Sequence, residues 1–124
     1  MVNQQTTDDR GSNLSTEDLA ALRENLYEQR LFRQEQLRQL SAAATTRAAA
    51  SPERRAASQT EVRVTLAASA RMVLADVEAA LTRMDQNTYG TCHLCRGPVA
   101  LVRLMIVPQA RYCARCQQVL EVGR

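Results

Sequence analysis

Apolar residues recur at three- and four-residue steps through two long stretches of the chain, and polar residues fill the intervening positions. In the first stretch the stripe runs Leu19, Leu22, Leu26, then Arg30 or Arg33, Leu37 and Leu40, with Arg, Glu and Gln on the other faces. It predicts one helix with a single narrow seam. Ser15 can cap its start, Asp18 stands three residues on, and Leu14 and Leu19 flank the pair as a hydrophobic staple. Alanine triplets at 42–44 and 48–50 carry the helix to about Ala50, weakened but not stopped by Thr45 and Thr46.

Ser51-Pro52-Glu53 is a second start signal: a capping serine, a proline preset for the first helical position and a glutamate that complements the helix dipole. Beyond it Val62, Leu66, Ser69 or Ala70, Val73, Val77, Ala80 or Leu81, and Met84 form a second seam, which predicts a helix to about Asn87. Met72 and Met84 read as packing within that seam. Each helix is about 50 Å long at 1.5 Å per residue. Two equal seams joined by a tight turn must close on each other, so the expected fold is mainly α, a long antiparallel coiled-coil hairpin over residues 14–88 with its tip near 50–56. Residues 1–13 read as a disordered polar tail. Alanine on both sides of the turn predicts a slender tip, a shape that suits a cleft or pore.

Residues 89–124 follow a different logic. Cys92-His93-Leu94-Cys95 is followed, after seventeen residues, by Cys113-Ala114-Arg115-Cys116. Two Cys-x-x-Cys knuckles at this separation can converge on one tetrahedral metal, with the Gly97-Pro98 turn allowing the chain to fold back. Two disulfides are the competing reading, but nothing in the sequence suggests secretion. The expectation is one structural zinc ion held by Cys92, Cys95, Cys113 and Cys116 in a finger that ends in a short helix. Four thiolates close the shell to water and substrate, so the metal holds shape and does no chemistry, and His93 is a bystander.

Composition supports narrow seams over a broad core: aromatic residues make up only 3% of the 124. All sixteen basic residues are arginine, a bias that accompanies GC-rich coding. The formal charge of +3 falls to about +1 once four thiolates and a divalent ion are counted. That is too little to argue for nucleic acid. The first ten residues contain no apolar stretch fit for a signal peptide. The longest apolar run, Val99 to Val107, is broken by Arg103 and is far short of the roughly 20 residues of a membrane span. A cytoplasmic protein is expected.

The hairpin followed by Tyr89-Gly90-Thr91-Cys92-His93-Leu94-Cys95, Gly97-Pro98, Arg103-Leu104, Pro108 and Cys113-Ala114-Arg115-Cys116 resembles the DksA/TraR zinc-finger family. That resemblance implies a bacterial transcription regulator, not an enzyme. Such a protein binds core RNA polymerase rather than promoter DNA, and inserts its coiled coil through the secondary channel toward the active centre. Many relatives act with the alarmone ppGpp; the sequence leaves its participation here open. In the family the tip carries two acidic residues near an alanine. Here the matching stretch is Ser51-Pro52-Glu53-Arg54-Arg55-Ala56, with Ser51 and Arg54 in the two aspartate places.

A second reading is an adaptor that binds nucleic acid or protein through the finger, where Arg96, Arg103, Arg111 and Arg115 give a basic cast. No recognition helix is evident, and stacking aromatics are limited to Tyr89 and Tyr112, which argues against direct DNA binding. An antiparallel hairpin satisfies its own seam and so predicts a monomer.

Overall fold

Helix α1 (Thr16–Ala50) and helix α2 (Glu53–Asp85) run antiparallel in a computed structural model that describes residues 14–50 and 53–123, with side chains at 14–43 and 58–123. The expected coiled-coil hairpin is present. Helix α3 (Leu101–Ile106) and helix α4 (Ala114–Val122) belong to the finger. The predicted tail at 1–13 and the turn residues Ser51 and Pro52 lie outside the described residues, as do the side chains of Glu53, Arg54, Arg55 and Ala56.

Local chemistry sets the ends of the long helices. The Ser15 hydroxyl oxygen accepts from the Asp18 N–H at 3.0 Å, while Asp18 Oδ2 accepts from the Ser15 N–H at 3.1 Å. Two donors that the first turn leaves unpaired are thereby satisfied reciprocally. Helix α2 stops at Asp85, two residues before the expected Asn87, because Asn87 takes φ 62°. The Thr88 N–H then reaches back to the Arg83 carbonyl at 2.9 Å and the Asn87 N–H to that of Met84 at 3.2 Å. This paired closure is the Schellman stop, and asparagine tolerates the left-handed position better than most residues.

The core sits at the base of the hairpin. Leu22 and Leu26 of α1 pack with Val77, Ala80, Leu81 and Met84 of α2 and with Tyr89, Cys92, Val99, Leu104 and Cys116 of the finger. Hairpin and finger therefore share one apolar cluster.

Toward the tip the seam departs from expectation on α2. Val62 and Leu66 are 56% and 44% exposed, and Met72 is 68% exposed. The covered positions there are Gln59, Arg63 and Ala67, which lead at three- and four-residue steps into the expected Ala70, Val73, Val77, Ala80, Leu81 and Met84. Extending the register back from the well-packed base brings Ala67 and the stem of Arg63 inward and turns the larger aliphatics out. On α1 the expected Leu19, Leu22, Leu26, Leu37 and Leu40 are all at least partly covered, as are Arg30 and Arg33. No helix among the described residues is long and apolar enough to cross a membrane.

Candidate metal centre

The first knuckle is shaped by backbone hydrogen bonds from residues around it. The Cys92 N–H donates to the Gly97 carbonyl at 2.8 Å and the Arg96 N–H to the Cys92 carbonyl at 3.0 Å. Arg96 takes φ 65°, which turns the chain sharply after Cys95. The Leu94 N–H points at Cys92 Sγ at 3.4 Å and the Gly97 N–H at Cys95 Sγ at 3.3 Å, so these amides face sulfur charge. A side chain at Gly97 would place its Cβ 3.3 Å from Cys95 Sγ. A bridge between Thr91 and Pro98 closes the loop.

The second knuckle opens α4. Cys113 is the N-cap, its sulfur accepting from the Cys116 N–H at 3.5 Å. The two knuckles are joined by the His93 N–H, which donates to the Arg111 carbonyl at 2.8 Å.

This scaffold brings the four sulfurs of Cys92, Cys95, Cys113 and Cys116 to within 4.8 Å of one another, with Cys95 and Cys113 Sγ at 3.9 Å. Zinc–sulfur bonds of about 2.3 Å in a tetrahedron require sulfurs about 3.8 Å apart. The all-sulfur donor set and its spacing fit one structural zinc ion. His93 is exposed and meets Tyr112 edge-on at 6.1 Å, apart from the cluster.

Four sulfurs this close cannot all ionise without a cation between them. Burial pushes the Cys92 thiol up, but the backbone N–H groups of Cys95, Cys113 and Leu94 outweigh it and hold it down at about 6. Desolvation and then the neighbouring sulfurs push Cys116 up to about 12. Metal binding must therefore displace protons.

One buried bond closes the finger on itself, and two polar joints fasten it to the hairpin. The Tyr89 hydroxyl donates to the Pro108 carbonyl at 2.7 Å, deep in the core. Arg111 pairs with Asp76 of α2 at 2.8 Å. Arg83, in the last turn of α2, donates to the Gln109 and Ala110 carbonyls at 3.5 and 3.4 Å. Of the four predicted finger contacts, Arg111 is thus engaged within the molecule, and Arg103 is engaged too, its Nε donating to the Tyr112 carbonyl at 3.0 Å. Arg96 and Arg115 are exposed. Sequence reasoning missed Asp76 and Arg83. An acid and a base on a helix read as solvated face, and only the return of residues 109–111 gives them partners.

A zinc-stapled helical hairpin is the class that these features define. Residues 87–122 match the prokaryotic dksA/traR C4-type zinc finger. Transcription factor DksA2 from Pseudomonas aeruginosa has the same fold, with a TM-score of 0.82 at 20% identity over 90% of this chain and 88% of that one. An uncharacterized protein of Aquifex aeolicus is 35% identical over 48 residues, which span 39% of this chain and 33% of that protein. The chain carries the DksA/TraR zinc finger on the DksA fold.

Proposed function

We propose that this protein is a cytoplasmic transcription regulator that binds core RNA polymerase and inserts its hairpin into the secondary channel, carrying a tip without the paired acids. The observation that supports this most is the union of a 35-residue and a 33-residue helix with the finger through one apolar cluster. A rod about 50 Å long, held at a fixed angle by its base, can deliver its tip to a deep site. Likeness of fold to a protein named as a transcription factor agrees with this.

Tip chemistry separates this chain from the family pattern. Paired carboxylates can hold or perturb a hard divalent ion, whereas Glu53 flanked by Arg54 and Arg55 is a poor substitute. Guanidinium groups pair instead with carboxylates or nucleotide phosphates that line a channel. The protein should not stimulate transcript cleavage by polymerase. Changing Arg54 and Arg55 together to alanine should weaken its effect on transcription while leaving polymerase binding largely intact. Strong cleavage stimulation by the protein, or a double variant with undiminished output, would count against an arginine tip. The reading includes a monomer; a role for ppGpp is decided by whether it changes affinity for polymerase.

The adaptor reading is weakened by the finger itself. Arg103 and Arg111, half of the predicted basic patch, are held by internal partners.

A further inference from the structure

Arg83 is only 8% exposed, the one buried charged side chain among the described residues. No carboxylate among those residues lies within ion-pair distance of it, and its two carbonyl contacts are long. Asp76 attracts it from beyond that distance, but Arg111, the partner of Asp76, repels it more strongly. A buried guanidinium without a counter-charge is heavily disfavoured, so something nearby must balance it. The same side chain lines an open cavity of about 560 Å³ whose wall also includes Thr88, Thr91, Cys92, His93 and Arg96, and contains no carboxylate.

The zinc centre supplies the missing charge. A divalent ion with four thiolates would be doubly negative, and Cys92 shares the wall of that cavity with Arg83. We propose that Arg83 is the counter-ion of the zinc tetrathiolate, an outer-shell residue that ties zinc occupancy to the seating of α2 against the finger. An external anion is the weaker occupant of this cavity: the charges of Arg83 and Arg96 are already balanced by the centre, and a phosphate would face thiolate sulfur. Arg111, by contrast, has Asp76 as its own partner.

Coupling follows from charge balance. With zinc bound, Arg83 is held between α2 and residues 109–110, the approach to Cys113. Without the metal, that charge is no longer fixed opposite the guanidinium, which is left in a dry site without a counter-ion. The base of the hairpin then loses one of its joints, and by reciprocity whatever strengthens the Arg83 contact tightens zinc.

Zinc competition against a chromophoric chelator, on the full chain and its Arg83→Lys, Arg83→Gln and Arg83→Met variants, separates charge from hydrogen bonding. Glutamine keeps an amide N–H for the Gln109 and Ala110 carbonyls but lacks the charge; lysine keeps the charge. Circular dichroism of each zinc-loaded variant checks that it is folded. Arg83→Gln and Arg83→Met should each bind zinc about tenfold or more weakly, the usual scale for outer-shell partners, while Arg83→Lys stays within about threefold of the parent. If Arg83→Met does not fold, the glutamine variant decides. Parental zinc affinity in folded Arg83→Gln, or equal weakness in Arg83→Lys and Arg83→Gln, would overturn the proposal.

Discussion

The Tyr89 hydroxyl and the Pro108 carbonyl meet at 2.7 Å inside the core, joining the segment that leaves α2 to the turn that follows α3. The eighteen residues between them, loop, knuckle and helix, are thus closed by one buried hydrogen bond, whose acceptor belongs to a fully buried proline.

Tyr89→Phe should destabilise the protein by about 1–3 kcal/mol, because the Pro108 carbonyl is left buried without a donor. Thermal unfolding of the zinc-loaded protein measures this. A shift no larger than that of a surface control would show that the bond contributes little.

Alkaline pH offers an independent check on the same residue. Burial pushes the Tyr89 hydroxyl up from 10.0 to about 12, with Arg83 opposing. A folded value above the unfolded one means that the contribution is whole below about pH 10 and disappears as pH rises through about 12. Stability measured by denaturant titration should fall over that window in the parent more steeply than in Tyr89→Phe.

The shared core at the base predicts a sharp contrast along α1. Leu26→Ala removes a side chain that is 0% exposed and should cost about 2–5 kcal/mol. Leu31→Ala, five residues on and 65% exposed, should stay within about 0.5 kcal/mol. Comparable losses in urea unfolding would mean that the outer hairpin is also packed against something.

Gly97 is set by the metal. A Cβ there lies 3.3 Å from Cys95 Sγ, and a sulfur pinned by zinc cannot move aside as a free thiol could. Gly97→Ala should therefore weaken zinc several-fold, at a cost of about 1 kcal/mol, yet leave the hairpin folded. Metal competition reads the affinity and circular dichroism the helices.

Asp76 and Arg111 are both partly exposed, at 45% and 38%, so their pair should be worth no more than about 1 kcal/mol. A double-mutant cycle with Asp76→Asn and Arg111→Gln should give a coupling of that size at low salt, shrinking in molar salt. A large coupling unaffected by salt would show that the pair is more secluded than its exposure implies.

What could be read from the sequence was local. Ser15 and Asp18 cap each other as their spacing requires, the cysteine knuckles converge as theirs requires, and Leu22, Leu26, Val77 and Met84 form the seam that periodicity predicts. The outer seam of α2 was ambiguous because Val62, Val64, Leu66 and Ala67 are all apolar, and periodicity alone cannot choose among them. The tightly packed base sets the register, and it selects Ala67. Helix α3 lay hidden in the run from Val99 to Val107, too short for a period to show. Arg83 looked like an ordinary base in a last helical turn; its burial depends on residues that return twenty-six and twenty-seven positions later.

Insertion into the secondary channel is tested by binding of the zinc-loaded protein to core RNA polymerase, with an established secondary-channel factor as competitor. Saturable binding that the competitor abolishes is expected, with the same competition when Arg54 and Arg55 are replaced by alanine. Absence of binding by folded protein, or simultaneous binding of both factors, would contradict it.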